Sequence, residues 1–232
     1  MHVEVCLRIK KEYAELLKEG VSYEIIAFGN IRSYKSVILW AMVLFSPLAY
    51  PRYDWMSMAV SELSAVGAPS RELAAQLNSL FSLCAVVSIM AVCVAVRNCK
   101  EKLLRRGVYL LAVMEWLCTV GYGCFARISD AQATNIQNII HILVTVFMVL
   151  LSIVSLIMIF LGTRKSNLKS LGIWSGVCLC VMFVGAIGTN VFLKTVFGIF
   201  ERMSTFSAVI FNAVLGWCLY TGQFLQEESE NL

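Results

Sequence analysis

The fold is decided by the stretch between residues 50 and 70, which reads YPRYDWMSMAVSELSAVGAPS. It is the longest polar interruption between two strongly apolar segments of the chain. Two of the protein's three prolines lie inside it, and the third, Pro47, stands just before it. Such a stretch predicts two membrane-spanning helices joined by a loop, because irregular backbone is not tolerated where it would face lipid.

The composition excludes a water-soluble globular protein. Hydrophobic residues make up 59% of the 232 residues and charged residues only 15%, and the mean hydropathy is +0.77. Soluble domains are nearer to half apolar and about one quarter charged. The chain has too little polar surface to face water on all sides, so we expect lipid to be its solvent.

Six apolar segments follow one another along the chain. A helix needs roughly 20 residues to cross the hydrocarbon core of a bilayer. We place the segments at residues 36–50, 73–97, 107–126, 139–162, 170–192 and 204–224. The predicted fold is an all-α transmembrane bundle of six helices, with a short extracytoplasmic helix between the first two. We expect a polar N-terminal extension at residues 1–35, the six-span domain at 36–224 and an acidic tail at 225–232.

Positive charge predicts the orientation of the bundle. The loops between the segments are numbered 1 to 5 in chain order. Of the 19 lysines and arginines, 14 lie in the N-terminal extension and in loops 2 and 4, and five lie in loops 1, 3 and 5. Because Lys and Arg stay on the cytoplasmic side, we predict a multi-pass protein of the cell membrane with both termini in the cytoplasm.

The N-terminal extension carries six Lys and Arg residues and no apolar core, so we expect no cleavable signal peptide. Its residues 14–27 resemble half of a helix-turn-helix motif. The supporting helix of that motif is missing, and we therefore expect no nucleic-acid partner. The nine cysteines fall mostly inside apolar segments and are interpreted as packing residues.

Loop 1 has the pattern of a short helix at the membrane surface. Ser57, Ser61 and Ser64 share one helical face, and Asp54 stands where its carboxylate could cap the helix. Tyr53 and the tryptophan two residues later are typical of anchors at the headgroup level. This structural role alone would account for the stretch.

Small residues at spacings of three or four predict close packing between helices. In the sixth segment these are Ser204, Ala208, Asn212 and Gly216, and in the fifth they are Gly172 with Gly176 and Gly185 with Gly188. We expect these faces to pack within one bundle. They could also join two copies of the chain in a homo-oligomer.

Polar residues concentrate at the predicted outer ends of the segments. Asp54, Ser61, Glu62, Asp130, His141, Glu201 and Arg202 all lie in or beside loops 1, 3 and 5. Because helix ends come close together in a compact bundle, these groups could form one extracytoplasmic ligand-binding site. Glu201 suits a helix N-terminus, and Arg202 could bind a lipid phosphate or pair with a carboxylate of loop 1.

His141 is the one histidine inside the apolar segments. It could be a hydrogen-bonded residue at a helix start, or a metal ligand and general base with Asp54, Glu62 or Asp130. One histidine with two or three carboxylates can hold a divalent metal such as zinc, and Ser61 is the candidate nucleophile. The catalytic hypothesis therefore names His141, Asp54 and Ser61. The metal hypothesis names His141, Asp54 and Glu62, and its alternative is a protein without a cofactor.

Glu115 lies near the middle of the third segment. A carboxylate at this depth is costly and must face the bundle interior, be protonated or bond to another helix. It could be the ligand-binding, protonatable group of a carrier. It could equally be a contact between helices, made with Asn212 or Ser175, whose depth is similar.

Several separated motifs resemble one known family. They are Tyr50-Pro51, Tyr53-Asp54-Trp55, Ser61 to Ala65 and Gly67 to Ser70 in loop 1, then Phe125 with Asp130 and His141, Gly185 to Gly188, and Gly198 to Arg202. Over about residues 36–224 the chain resembles the prokaryotic membrane family catalogued as domain of unknown function 998. Ala126 stands where the family pattern has a proline. The resemblance implies six spans and brings no established activity.

Three functions follow as hypotheses. The first is recognition of a lipid or a partner at the outer face, with membrane lipids as the expected partners. The second is a membrane-embedded hydrolase of lipid-like substrates, with or without a metal. The third is a small proton-coupled carrier. The sequence favours the first hypothesis because it holds no catalytic motif with a specific spacing.

Overall fold

The computed structural model describes residues 37–129 and 135–224 of the chain. It is an all-α bundle of six helices, α1 (Val37–Ala49), α2 (Arg71–Ala95), α3 (Lys102–Cys124), α4 (Ile136–Thr163), α5 (Lys169–Val191) and α6 (Phe197–Tyr220). Each predicted apolar segment corresponds to one helix, so the predicted fold class is confirmed. The predicted N-terminal extension, the acidic tail and Asp130 lie outside the described residues.

The surface of the bundle is apolar around its middle. Helices α2 to α6 are each long and apolar enough to cross a membrane, whereas α1 is shorter. Large apolar side chains point outward from several helices, including Leu83, Leu143 and Ile173, which are 62–67% exposed. Because so large an apolar surface is stable only against lipid, the chain is an integral membrane protein.

The main core lies between α2 and α6. Each of these helices packs against the next in the chain, and α6 returns to contact α2. The hydrophobic cluster between them contains at least one fully buried residue from each of these five helices. Examples, in chain order, are Ile89, Leu104, Leu156, Leu171 and Leu215. The five helices therefore form a closed ring around a continuous core.

A second, smaller core joins α1 and loop 1 to this ring. Leu39 and Met42 of α1 meet Leu63 of loop 1, Phe81 of α2 and Val209 of α6. Leu63 has no exposed surface. Loop 1 is therefore part of the packed structure, although it lies between two membrane helices.

The glycine pairs of α5 face two different neighbours. Gly172 and Gly176 face α4, whereas Gly185 and Gly188 face α6. A Cβ atom at Gly185 would lie 2.7 Å from the backbone nitrogen of Ser204, so the two helix backbones approach closely there. Packing within one bundle explains both pairs, and a homo-oligomer stays a prediction.

The start of α6 was predicted wrongly, and the short helix predicted between the first two spans is present but is shorter than the serine spacing suggested. Helix α6 begins at Phe197 instead of residue 204, because the polar pair Glu201 and Arg202 interrupts the hydropathy but not the helix. The helix expected across loop 1 is only a five-residue 3-10 helix, Val60–Ser64. Asp54 caps the turn before that helix instead of the helix itself, as its hydrogen bonds show.

Loops 1, 3 and 5 and the first turns of α6 lie at one end of the bundle, here called the cap face (residues 50–70, 125–129 and 192–202). Loops 2 and 4, the first turn of α3 and the first residue of α5 lie at the other end, here called the basic face (residues 96–106 and 164–169).

Candidate functional site

Arg202 holds loop 1 onto α6. It lies in the second turn of α6 and is only 7% exposed. Its Nη1 donates to the carbonyl oxygens of Trp55 at 2.7 Å, Met58 at 3.0 Å and Gly198 at 2.8 Å. Its Nη2 donates to the hydroxyl of Tyr53. The partners of this guanidinium are therefore backbone carbonyl oxygens and one phenol. No carboxylate among the described residues forms an ion pair with it.

Glu201 and Gly198, which both precede Arg202 in α6, support the same contact between α6 and loop 1. Glu201 Oε2 accepts a hydrogen bond from the backbone N–H of Val60 at 3.3 Å, and its Oε1 accepts from the hydroxyl of Thr205 at 3.5 Å. A Cβ atom at Gly198 would lie 2.5 Å from the carbonyl oxygen of Met58. The first turns of α6 are therefore shaped to receive the loop 1 backbone.

Tyr53 connects the two halves of loop 1. Its hydroxyl donates to the carbonyl oxygen of Ala59 at 3.0 Å, and its ring centroid lies 5.7 Å from the guanidinium carbon of Arg202. Burial raises the pKa of Tyr53 to about 12, although Arg202 opposes the rise. Tyr53 is therefore a neutral, half-buried residue that links two parts of loop 1, and its role as a headgroup anchor stays a prediction.

Asp54 lies at the exposed tip of loop 1. Its Oδ2 accepts from the hydroxyl of Ser57 at 2.5 Å, and its Oδ1 accepts from the backbone N–H of Met56 at 3.1 Å. The bond from Ser57, followed by that from Met56, lowers the pKa of Asp54. Beside this ionised carboxylate, the side chains of Trp55 and Met56 are 56% and 39% exposed.

An ion pair and a backbone bridge join loop 1 to loop 3. Arg127 Nη2 lies 3.1 Å from Glu62 Oε1, and both side chains keep part of their surface exposed, 38% and 21%. The N–H of Val66 donates to the carbonyl oxygen of Arg127 at 2.7 Å, and the N–H of Ser129 donates back to the carbonyl oxygen of Val66 at 2.9 Å. Loops 1 and 3 therefore form one surface.

Side chains from the start of α4 hold loop 3 in turn. Asn138 Oδ1 accepts from the N–H of Ile128 at 2.8 Å, and its Nδ2 donates to the carbonyl oxygen of the same residue at 3.3 Å. Gln137 Nε2 donates to the carbonyl oxygen of Ala126 at 2.6 Å. Loop 3 is thus fixed on both sides, by α4 and by loop 1.

His141 belongs to the same support. Its Nδ1 lies 2.8 Å from the carbonyl oxygen of Phe125, so Nδ1 must carry the proton that it donates. Its ring stacks on Tyr122 with centroids 4.8 Å apart, and only 6% of the residue is exposed. The hydrogen-bonded helix-start interpretation is confirmed for Nδ1.

The structure shows no metal-binding cluster among the proposed site residues that it describes. Within residues 37–129 and 135–224, no three His, Cys, Asp or Glu side chains are placed to hold a metal ion. Ser61 is half-buried in the 3-10 helix, where its carbonyl oxygen accepts from the hydroxyl of Ser64 at 3.4 Å. Asp130 lies outside the described residues. The metal and hydrolase hypotheses stay predictions.

Glu115 lies far from the cap face, in the bundle interior. Glu115 and Asn212 are 3% and 2% exposed, and Asn212 Nδ2 donates to Glu115 Oε1. Ser175, the other expected partner, donates instead to the carbonyl oxygen of Gly172. The contact between helices is confirmed, and the protonatable role of Glu115 stays a prediction.

Sequence reasoning missed the structural roles of Arg127, Asn138 and Gly198. In the sequence, Arg127 was visible only as the single Lys or Arg of loop 3. The signal for Gly198 was its place one helical turn before Arg202. Asn138 carried no signal, because a side-chain amide bridging one backbone residue depends on the loop path.

Comparison with known proteins agrees with this architecture. A family model described as "Protein of unknown function (DUF998)" matches residues 36–218. The match starts with α1 and ends inside α6, so it covers nearly the whole bundle and confirms the resemblance seen in the motifs. No curated protein and no solved structure matches the chain.

Proposed function

Because the chain belongs to the DUF998 family, whose function is unknown, its activity must be argued from its own residues, and we propose that this membrane protein recognises a lipid headgroup at the cap face. The observation that carries the proposal is the accessible ion pair between Glu62 and Arg127, which joins loops 1 and 3. Partly exposed charges on a rigid surface can exchange their partner for a ligand at little reorganisation cost.

The chemistry of the cap face fits a zwitterionic headgroup. Arg127 offers a fork of donors for a phosphate, and Glu62 and Asp54 offer carboxylates for an ammonium group. Trp55 and Met56 add exposed apolar surface beside the charges. A partly polar, partly apolar surface at a membrane boundary is complementary to an amphipathic lipid.

Arg202 and Glu201 act as positioning residues in this proposal. Both are committed to loop 1, Arg202 through carbonyl oxygens and Glu201 through the N–H of Val60. They hold the loop so that its tip and Glu62 keep a fixed arrangement. Recognition then needs no ordering of the loop on binding, which would otherwise weaken affinity.

The test is titration of the detergent-solubilised protein with short-chain phosphatidylcholine, followed by native mass spectrometry. Glu62→Gln should weaken binding by about tenfold, which corresponds to about 1.4 kcal/mol. The matched control is Glu72→Gln, since Glu72 is an exposed carboxylate in the first turn of α2 near the same face. Equal binding by both variants and the wild type would overturn the proposal and leave a protein partner as the ligand to seek.

The other two hypotheses have their own tests. A metal-dependent hydrolase requires about one equivalent of bound divalent metal that is lost in His141→Ala. A proton-coupled carrier requires pH-dependent transport into vesicles that is lost in Glu115→Gln.

A further inference from the structure

The basic face carries a concentration of positive charge that the cap face does not. Its described part has one acidic residue, Glu101. The exposed cations of loop 2 and the start of α3 are Arg97, Lys100, Lys102 and Arg106, and those of loop 4 and the start of α5 are Arg164, Lys165 and Lys169. The described cap face, by contrast, mixes both signs, as Glu62 and Arg127 illustrate.

Close helix packing makes these cations one continuous surface. A Cβ atom at Gly162, in the last turn of α4, would collide with the backbone of Leu104 in the first turn of α3. A Cβ atom at Gly172 would lie 2.6 Å from the hydroxyl oxygen of Thr163, which brings the start of α5 to the same place. The charged ends of α3, α4 and α5 therefore lie side by side.

Two of these cations share a helical face with exposed apolar residues of their own helix. Arg106 precedes the exposed Tyr109 by three residues, and Lys169 precedes the exposed Ile173 by four. Residues three or four apart share one helical face and differ in height by about 5 Å. Arg106 and Lys169 thus lie about one turn beyond exposed apolar residues, the depth at which headgroups border a helix of this length.

Arg105 differs from its neighbours. Its Nη1 donates to the carbonyl oxygens of Arg97 and Cys99, both at 3.2 Å. This side chain closes the turn between α2 and α3. Arg105 therefore fixes the backbone of loop 2, as Arg202 fixes the backbone of loop 1.

We propose that the basic face binds the headgroups of anionic phospholipids. The charge identifies an anionic ligand, and the depth of the charges selects lipid over a soluble anion or an acidic protein. Each cation near an anionic membrane surface contributes roughly a fivefold factor in binding, and salt screens this attraction. The inference is independent of the cap-face proposal, because it concerns other residues and a lipid of different charge.

The experiment compares short-chain phosphatidylglycerol with phosphatidylcholine on the full-length protein in detergent, again by native mass spectrometry. The wild type should retain more phosphatidylglycerol. The variant K102Q/R106Q/R164Q/K165Q should lose this preference by at least about tenfold, whereas the charge-preserving variant K102R/R106K/R164K/K165R should keep it. Glu72→Gln, which removes an exposed carboxylate outside both proposed sites, should leave the preference unchanged.

Salt provides a test that does not depend on any variant folding. Raising the salt from about 0.1 M to 1 M shortens the screening length from about 10 Å to about 3 Å, and the preference of the wild type should disappear. Equal retention of the two lipids by the wild type at low salt would overturn the proposal. A preference that emerges only after residues 225–232 are removed would also overturn it, since the acidic tail would then be the occupant of the surface.

Discussion

Arg202→Met is the substitution that tests the architecture of the cap face most directly. Methionine has a similar length but cannot donate the bonds to the carbonyl oxygens of Trp55 and Met58. A hydrogen bond from a charged donor contributes about 1.5–3 kcal/mol. Removal of the buried guanidinium also relieves its desolvation cost, so we take the lower end of the sum, about 3 kcal/mol.

That loss should appear as local opening of loop 1. A change of about 3 kcal/mol raises the population of the open loop by roughly 150-fold. The N–H of Met58, which donates to the carbonyl oxygen of Asp54 at 2.8 Å, and the N–H of Val60 both report on the closed state. Hydrogen exchange followed by mass spectrometry on a peptide covering residues 53–64 measures this opening.

Two further variants bound the interpretation. Arg202→Lys keeps the charge but replaces a planar fork by a single ammonium group, so exchange should fall between the wild type and Arg202→Met. Arg52→Met removes an exposed cation of the same loop and should change exchange by less than about threefold. If exchange in Arg202→Met also stays within threefold of the wild type while the bundle remains folded, the hydrogen bonds of Arg202 do not stabilise loop 1. That result would refute the reasoning.

Three other predictions concern the bundle and the loop. Glu115→Gln keeps an acceptor oxygen for the amide of Asn212, so it should cost less than about 1 kcal/mol, whereas Asn212→Ala should cost about 1–2 kcal/mol in a denaturation assay; equal losses would contradict the hydrogen-bond account. Gly185→Ala should lower the free energy of unfolding by about 1–3 kcal/mol, because its Cβ would meet the backbone of α6. Gly123→Ala should leave stability unchanged, because no other atom lies within 4 Å of a Cβ added there. Burial raises the pKa of Tyr53 from 10.0 to about 12, so its contribution to stability should be complete below pH 10 and be lost between pH 10 and 12. The difference in phenolate absorbance between the wild type and Tyr53→Phe measures this titration, and ionisation near pH 10 would contradict burial.

The helices and one interior contact could be predicted from the sequence because their signals are local. Hydropathy over about 20 residues marks each span. Depth along the helices limited the expected partners of Glu115 to Asn212 and Ser175, and the structure shows that Asn212 is the partner. The start of α6 was misplaced because Glu201 and Arg202 look like loop residues. Both lie in the helix, and their side chains form hydrogen bonds with the backbone of loop 1.

The partners at the cap face could not be predicted, since they depend on the path of irregular backbone. Arg202 was expected to meet a phosphate or a carboxylate, and it meets carbonyl oxygens of Trp55 and Met58 instead. Loop carbonyls carry no residue signature, so their position has no trace in the sequence. The ion pair between Glu62 and Arg127 likewise requires the register of loop 1 against loop 3, which the bridge at Val66 sets.

The length and order of loop 1 together argue that the cap face has a function. Two neighbouring helices in a bundle need a connection of only about two to eight residues, and loops beyond about 15 are usually either functional or disordered. Loop 1 occupies residues 50–70 and is held by Arg202, Glu201 and Arg127. A simple connection between two helices would not need the buried Arg202, a bridge to loop 3, or a glycine at position 198 that leaves room for the loop 1 backbone. An ordered loop of this length, carrying exposed charges at its tip, supports the proposal that this surface recognises a ligand.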